Sequence, residues 1–415
     1  MTVPFDELLR VFLRIGLLSF GGPAAQIAVM HRELVEERPW LTERQFLNAL
    51  SFCMLLPGPE AMQLSTYCGW RLYGVTGGLI AGLFFVMPGA LVMLGLAWAY
   101  AAFGSVPLVE ALFLGIKATV VVIVLEALLK VSKKALHGTD RWVIAALSFV
   151  AIFFLAAPFP LIIVCAAAYG ALTGAASADP APPLGRAGTV RTIALWGALW
   201  WAPVAAAWVS GQQLLTDVGL FFSKLAIVTF GGAYAVLAYM TQEVVQDQGW
   251  LTTAQMMDGL GLAETTPGPL ILVTEFVGYL AGASAGGPGL AVAAAAMTLW
   301  VTFVPCFLWI FAGAPYIEWI STRPRLTGAL SGITAAVVGV ILNLSLWFAT
   351  HVFFAEVGSL RAGPLHFLRP EFGTLDLRAV VLAVAAGALL LRLRWGLIRV
   401  LALAALAGAG MSFAA

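Results

Sequence analysis

Long apolar runs alternate with short polar or glycine-rich turns along the whole chain. A run of about 20 apolar residues crosses the hydrocarbon core of a bilayer as a helix, because an α-helix rises about 1.5 Å per residue. The pattern therefore predicts an all-α polytopic membrane protein with about thirteen crossings. The predicted spans are residues 10–31, 46–68, 75–100, 107–131, 142–157, 160–176, 190–210, 219–241, 255–282, 288–313, 326–350, 377–392 and 394–413. The short spans within 142–176, and those within 377–413, could each pair into one tight helical hairpin.

Composition supports this assignment and narrows the function. Hydrophobic residues make up 61% of the chain and charged residues 10%, with a mean hydropathy of +0.95. Soluble domains carry about 25% charged residues, so the chain is predicted to lie in a lipid bilayer. The net charge of +1, without a basic tail, excludes a nucleic-acid partner. The chain has no metal-ligand spacing, paired histidines or nucleophile motif, so we expect no metal, no cofactor and no enzyme activity.

Three motifs occur twice at one constant offset of 210 residues. The pairs are Phe20-Gly21-Gly22 with Phe230-Gly231-Gly232, Trp40-Leu41-Thr42 with Trp250-Leu251-Thr252, and Pro57-Gly58-Pro59 with Pro267-Gly268-Pro269. After a slip of seven residues, Val86-Met87-Pro88 matches Phe303-Val304-Pro305, and Gly115-Ile116-Lys117-Ala118 matches Gly332-Ile333-Thr334-Ala335. The chain is therefore interpreted as a duplication. The predicted parts are a first repeat over 1–176, a linker with an extra span over 177–218, and a second repeat over 219–415.

The relative direction of the two repeats depends on how many crossings precede the second one. Six crossings before the extra span make the repeats antiparallel, the inverted arrangement of many secondary transporters, with their site at mid-membrane. If the Pro-Gly-Pro segments re-enter the membrane instead of spanning it, the repeats become parallel. The sequence leaves both possibilities open. Lysine and arginine in the short loops favour a cytoplasmic N-terminus.

The two Pro-Gly-Pro motifs predict breaks within membrane helices. Proline lacks an amide donor and its ring clashes with the preceding turn, so Pro57-Gly58-Pro59 and Pro267-Gly268-Pro269 should interrupt their helices. Irregular backbone at membrane depth is tolerated where it is buried in protein or lines a wet cavity. The N-terminus of the half-helix that follows suits an anion, and Thr265 and Thr266 place hydroxyls beside the second break. The alternative is a simple kink in a packed helix.

Paired glycines lie within the first predicted helix of each repeat. Gly21 with Gly22, and Gly231 with Gly232, permit close approach of backbone, and we expect them to face the two breaks. Close helix packing through small residues is the alternative explanation.

Ionisable residues inside apolar spans are candidates for function, because burying them is costly. Lys117 lies about ten residues into its helix and is expected to attract the anion, unless a carboxylate neutralises it. Gln63 follows the first break as a neutral donor. The predicted proton-coupling carboxylates are Glu60 and Glu264 at the breaks, then Glu126 and Glu275.

Taken together, these motifs resemble the chromate ion transporter family in its long, two-domain form. The resemblance rests on Phe20-Gly21-Gly22-Pro23 followed by Met30, Glu33 and Trp40, on Leu56-Pro57-Gly58-Pro59 with Gln63 and Gly69, and on Phe230-Gly231-Gly232, Gly249-Trp250-Leu251 and Thr266-Pro267-Gly268-Pro269. One departure is Gly232-Ala233-Tyr234, where many relatives have a third glycine and a histidine.

The resemblance implies export of chromate from the bacterial cytoplasm through the inner (plasma) membrane. It also implies drive by the proton motive force, chromate resistance, and sulfate as a related substrate, so the expected partners are a small oxyanion, protons and the lipid bilayer. A passive anion channel, or a sulfate transporter with little chromate activity, are the alternatives. The sequence leaves a homodimer open.

Overall fold

The computed structural model describes most of the chain, and it is almost entirely helical. The described residues are 3–20, 22–104, 106–174, 186–230, 233–317, 323–363 and 365–414. Among them, five helices are long and apolar enough to cross a membrane: Glu60–Phe103, Pro107–Ala135, Gly188–Val209, Pro288–Tyr316 and Pro324–Phe353. Shorter apolar helices lie at Phe159–Thr173, Leu270–Gly286 and Leu397–Ser412. The chain is therefore a multi-pass membrane protein.

The first half contains seven helices, numbered in chain order, among its described residues. They are α1 (Phe5–Leu18), α2 (Gly22–His31, continued by a π-helical turn over Arg32–Glu36), α3 (Glu43–Cys53), α4 (Glu60–Phe103), α5 (Pro107–Ala135), α6 (Thr139–Leu155) and α7 (Phe159–Thr173). The separate helix α8 covers Arg186–Val209.

The second half repeats this order. Its helices are α9 (Gln213–Val228), α10 (Ala233–Gln242, continued by a π-helical turn over Glu243–Asp247), α11 (Thr253–Thr265), α12 (Val273–Gly286, preceded by a 3₁₀ turn over Leu270–Leu272), α13 (Pro288–Gly313, continued by a 3₁₀ turn over Ala314–Tyr316), α14 (Pro324–Phe353), α15 (Leu377–Gly387, continued by a π-helical turn over Ala388–Arg392) and α16 (Leu397–Ala414). Between α14 and α15 lies an antiparallel hairpin of β1 (Val357–Ala362) and β2 (Leu365–Pro370), with a 3₁₀ turn over Phe372–Thr374. This hairpin corrects the all-α prediction, because the segment between the predicted spans 326–350 and 377–392 pairs with itself as two strands.

Local details repeat together with the helix order. Thr42 and Thr252 each cap the helix that follows: the hydroxyl of Thr42 accepts from the amide of Gln45, and that of Thr252 from the amide of Gln255. In return each glutamine side chain accepts from the amide of its threonine, at 3.0 Å and 2.8 Å. Such reciprocal capping boxes fix where a helix starts. Their recurrence at the offset of 210 shows that this local structure repeats together with the sequence.

Each half also contains a sharp reversal after its Pro-Gly-Pro motif. In the first half the backbone leaves the helical region at Tyr73 and Gly74, where Gly74 has φ +60°, so α4 is two helices joined at a corner. In the second half Gly287, with φ +79°, separates α12 from α13. Glycine is suited to these corners because it adopts positive φ without a steric penalty.

Four of the predicted spans are interrupted in the structure. In the second half, 219–241 is divided because α9 ends at Val228 and α10 begins at Ala233, and 255–282 is divided because α11 ends at Thr265. Their counterparts in the first half are 10–31 and 46–68. The span 10–31 is not one helix: α1 ends at Leu18, Ser19 has φ −80° and ψ 68°, and α2 begins at Gly22. Pro23 then occupies the first turn of α2, where its missing amide donor costs nothing. The span 46–68 is interrupted between Cys53 and Glu60, as the Pro-Gly-Pro motif predicts.

By internal packing the chain forms two compact units, and each draws on both repeats. The first unit comprises Met1–Trp98, Gly174–Ala233 and Leu262–Thr327, and the second comprises Ala99–Thr173, Tyr234–Gly261 and Gly328–Ala415. Both Pro-Gly-Pro motifs lie in the first unit, and Lys117 lies in the second. The repeat boundaries at 176 and 219, and the antiparallel relation of the repeats, stay predictions.

Candidate functional site

The first break is bonded to the second repeat. Gly58 has φ +116°, and its amide donates to the carbonyl oxygen of Thr229 at 2.8 Å. Thr229 directly follows α9, and its buried hydroxyl donates to the carbonyl of Leu225. The end of α9 is thus fixed against the first Pro-Gly-Pro motif.

The second break is bonded to the first repeat in the same way. Gly268 has φ +86°, and its amide donates to the carbonyl oxygen of Ser19 at 2.7 Å. Ser19 follows α1, and its buried hydroxyl donates to the carbonyl of Ile15. Ser19 and Thr229 are equivalent at the offset of 210, as are Gly58 and Gly268. The two repeats therefore exchange one backbone hydrogen bond in each direction.

The next helices show a second exchange. A Cβ atom added to Gly89 of α4 would lie 2.1 Å from the carbonyl oxygen of Pro267. A Cβ atom added to Gly58 would lie 3.0 Å from Sγ of Cys306 in α13. Gly89 and Cys306 are equivalent at the offset of 217. Each break therefore contacts two helices of the other repeat: the end of its first helix and the long helix that includes Gly89 or Cys306.

Two buried glutamines bind the carbonyl oxygens of the breaks. Nε2 of Gln63 donates to Pro57 at 2.7 Å, and Nε2 of Gln26 donates to Gly268 at 2.7 Å. The side-chain oxygens of both glutamines are buried and have no hydrogen-bond partner among the described residues. The hydroxyls of Thr265 and Thr266 instead donate to their own helix, at Leu262 and Ala263.

Three further polar atoms on the hairpin of α12 and α13 are buried without a partner in the part of the chain that the structure describes. They are Oγ1 of Thr274, Oε2 of Glu275 and Oγ1 of Thr302. Buried polar groups are almost always hydrogen-bonded, and an exception indicates a partner outside the protein, such as water or an ion. The first unit thus places several such atoms on the segments that follow the second break.

The predicted glycine pairs are placed only in part. Gly22 starts α2 with φ +81°, and a Cβ atom there would meet no atom of the described residues within 4 Å. Gly21, Gly231 and Gly232 lie outside the described residues. The expectation that the pairs face the breaks stays a prediction.

A different polar cluster lies in the second unit, where Lys117 of α5 meets Asp258 of α11. Nζ of Lys117 is 3.1 Å from Oδ1 of Asp258, and the hydroxyl of Tyr100 donates to Oδ2 at 2.7 Å. The side chain of Asp258 is 6% exposed and that of Lys117 is 23% exposed. Gly261, one turn after Asp258, lets α11 approach Ile116 beside Lys117. Close packing therefore holds a mostly buried ion pair that a tyrosine hydroxyl completes.

Comparison with known proteins identifies the family. The model of the chromate transporter family matches residues 7–171 and 216–409, one region in each half. The chain belongs to the chromate transporter family. The chromate transport protein of Cupriavidus metallidurans is 34% identical over 351 residues, which cover 82% of this chain and 81% of that protein. The chromate transport protein of Pseudomonas aeruginosa is 34% identical over 400 residues, covering 91% and 90%.

A shorter relative matches the length of one repeat. The uncharacterized transporter YwrA of Bacillus subtilis is 30% identical over 168 residues, which are 40% of this chain and 94% of that protein. Together with the two matched regions, this favours duplication of one ancestral unit in this chromate transporter family member. No solved structure matches the chain significantly.

The four predicted coupling carboxylates of this family member have different surroundings. Glu275 is 1% exposed and Glu264 is 8% exposed. Glu60 is the first residue of α4, where the positive end of the helix dipole favours a negative charge. Glu126 is bound by Lys130 at 2.5 Å on the surface of α5. Burial therefore singles out Glu275 and Glu264.

Sequence reasoning missed Asp258 and Gln26. Asp258 lies inside the predicted span 255–282, so a carboxylate within an apolar run was the available signal, but its position near the end of the span hid it. Gln26 is likewise an amide inside the predicted span 10–31. Among the described residues no group of three or more metal-ligating side chains comes together.

Proposed function

We propose that this protein exports chromate from the bacterial cytoplasm across the inner (plasma) membrane, driven by the proton motive force, with sulfate as a related substrate. The observation that carries the proposal is the match to the chromate transporter family in both halves, including relatives at 34% identity over most of the chain. Membership in a transporter family also supports a non-enzymatic role. A homodimer is compatible with this function but is not required by it.

The two breaks are the proposed anion pathway. Their backbone is irregular and fixed by exchanged hydrogen bonds, so the peptide groups are held in place without a continuous helix. Such backbone persists at membrane depth when it is buried or lines a wet cavity. The amides of Gly58 and Gly268 already bind carbonyl oxygens, so the anion would use the next helix turns and the side chains beside them. The hydroxyls of Thr274 and Thr302 have no partner among the described residues and supply donors of the required kind.

Glu275 is the preferred proton carrier of this proposal. Its carboxyl group is buried, and Oε2 has no partner among the residues described. Burying an unpaired charge is costly, and uptake of a proton removes that cost. Glu264 and Glu60 at the breaks are the next candidates, whereas Lys130 already neutralises Glu126.

The experiment that tests this function is transport into proteoliposomes. Purified protein would be reconstituted into vesicles with an imposed pH gradient, and chromate accumulation would be measured with and without competing sulfate. We expect accumulation that depends on the gradient and is reduced by sulfate. Equal chromate flux without any gradient would favour a passive anion channel. Sulfate accumulation without chromate accumulation would favour a sulfate transporter.

Replacing Glu275 by Gln is expected to uncouple transport. Gln reproduces the shape of the neutral acid but cannot release a proton, so chromate should equilibrate across the vesicle membrane and no longer accumulate. We expect a loss of at least about tenfold in gradient-driven accumulation, the change that 1.4 kcal/mol of coupling free energy would give. The exposed Glu371→Gln, directly after β2, is the matched control and should accumulate chromate normally. Full accumulation by Glu275→Gln would assign the proton to another group.

A further inference from the structure

A cavity of about 230 Å³ lies within the second unit, away from both breaks in sequence. Its walls come from the end of α6, from α10 and its π-helical turn, from α14 and from β2. The polar side chains that line it are Thr241, Gln242, Gln246, Asn343 and His366, together with the indole of Trp347. Ile152, Phe153, Leu344 and Phe367 contribute apolar wall. Polar and apolar side chains line the cavity in nearly equal numbers, and convergent polar groups in a concave pocket are typical of a ligand site.

Thr241 places an unsatisfied hydroxyl in the wall of this cavity. Its side chain is 2% exposed, and Oγ1 has no hydrogen-bond partner in the described structure. A hydroxyl buried in this way loses its bonds to bulk water without gaining others, which costs about 1–3 kcal/mol. Gln246, by contrast, is exposed, so the cavity extends from the buried Thr241 to an accessible edge. A ligand or ordered water that enters from this edge would satisfy the hydroxyl.

The repeat indicates which kind of ligand the cavity takes. In the first half, the positions equivalent to four cavity residues carry ionisable side chains that are paired with one another or with neighbours. His31 corresponds to Thr241, Arg32 to Gln242, Glu36 to Gln246 and Glu126 to Asn343.

These four ionisable side chains of the first half are neutralised by ion pairs within the first half. Nδ1 of His31 is 3.1 Å from Oε1 of Glu36, and Nε of Arg32 is 3.5 Å from Oε1 of Glu37. Glu126 binds Lys130 as described above. In the second half each of the two carboxylates has become an amide, and the basic residues have become a hydroxyl and an amide. All four neutral replacements line one cavity.

The replacements remove two basic side chains that would attract an anion and two carboxylates that would repel it, and what remains is a set of neutral donors for the oxygens of a ligand. Carboxylates such as Glu36 and Glu126 would repel an anion, whereas Gln246 and Asn343 can each donate two N–H bonds to its oxygens. Thr241, Gln242 and the ring of Trp347 add further donors. Neutral donors bind an anion more weakly than fixed cations do, which suits a site that must also release its ligand.

We propose that this cavity is a second oxyanion site, a vestibule that holds one tetrahedral dianion through neutral donors. The inference rests on the proposed function, since the dianion is the transported chromate or sulfate. Water occupies about 30 Å³ per molecule in the liquid, so the cavity holds an anion of five heavy atoms together with several waters. Thr241, Gln246 and Asn343 are its binding residues.

Cysteine protection tests occupancy of the cavity directly. Thr241→Cys would be made in a Cys165→Ser background, because Cys165 is exposed whereas Cys53, Cys68 and Cys306 are buried. Reaction with a small methanethiosulfonate would be followed in vesicles with and without saturating sulfate. Sulfate is expected to slow labelling at least fivefold, while an equal concentration of chloride should not. Labelling at the same rate in sulfate and chloride overturns the proposal.

Charge restoration tests the same residues without labelling. Asn343→Glu recreates the carboxylate of the first half and should raise the KM for chromate at least about tenfold, because the added charge repels the anion. Thr241→Val should raise the KM but not lower the midpoint of thermal unfolding, because it removes an unpartnered hydroxyl. The matched control is Thr216→Val, whose hydroxyl is already bonded to Gln212 at 2.9 Å, and its KM should be unchanged.

The outcomes separate this inference from the proposed function. An unchanged KM in Asn343→Glu and Thr241→Val, with normal chromate accumulation by the unsubstituted protein, refutes the vestibule alone. If the unsubstituted protein moves no oxyanion, the proposed function fails and the vestibule fails with it. The vestibule stands only if transport is normal in the unsubstituted protein and specifically weakened in the cavity variants.

Discussion

Replacing Lys117 by Met is expected to abolish chromate transport, with a loss of at least about 100-fold. The ammonium group is mostly buried on α5 and faces Asp258, which also accepts a hydrogen bond from Tyr100. Removing one partner of a buried ion pair leaves the other charge uncompensated, which costs about 3–5 kcal/mol. Asp258 neutralises Lys117 in the structure, which is the alternative that the sequence left open for this residue. The single variant therefore loses the neutrality of the cluster together with the cation. Initial rates of chromate uptake into vesicles, at equal protein in the membrane, measure the effect.

The double variant Lys117→Met, Asp258→Asn separates the two contributions. It removes both charges, so it should recover the thermal stability that the single variant loses, since replacing a whole buried pair is often neutral. Transport should stay low if Lys117 contacts the anion. Recovery of transport together with stability would assign Lys117 to structure. Lys133→Met, at an exposed position of the same helix, is the control and should behave as the unsubstituted protein does.

Much of the backbone architecture followed from the sequence, because it depends on local chemistry. The Pro-Gly-Pro motifs predicted interruptions, and both occur where proline removes amide donors. The membrane-length apolar runs predicted spanning helices, and the equal spacing of the motifs predicted that the second half repeats the first. The interruption after Leu18 was missed, because Ser19 and the glycines after it were read as part of one apolar helix.

Side-chain contacts could be predicted less well from the sequence, because they join segments that are distant along the chain. Lys117 stood out as an ionisable residue within an apolar run, but nothing local indicated that α11 would bring Asp258 to it. Thr265 and Thr266 looked available as donors, yet in the structure their hydroxyls bind carbonyls of their own helix. The sequence does not distinguish a hydroxyl that donates to a carbonyl of its own helix from one that binds a ligand.

The exchange between repeats could not be read from either repeat alone. The sequence shows that Gly58 and Gly268 are equivalent, but equivalent residues could each bond within their own half. Instead each donates to the residue that ends the first helix of the other half. In this pattern the first unit needs both repeats, since neither break can form its hydrogen bond without the other half.

Replacing Gly89 by Ala is expected to disrupt the second break, and it gives the sharpest test of that exchange. The added Cβ would lie 2.1 Å from the carbonyl oxygen of Pro267 and 2.6 Å from Cδ1 of Leu272, so α4 or the break must move. Overpacking of this kind costs about 1–3 kcal/mol, and backbone on one side of the clash favours the upper end of that range. We expect a lower thermal midpoint and at least about tenfold slower chromate uptake. Gly95→Ala is the control on the same helix, because a Cβ there meets no described atom within 4 Å and alanine favours the helix by up to about 1 kcal/mol. If Gly89→Ala transports as fast as Gly95→Ala, the contact between α4 and the second break is packing alone, and the anion pathway does not depend on the geometry of that break.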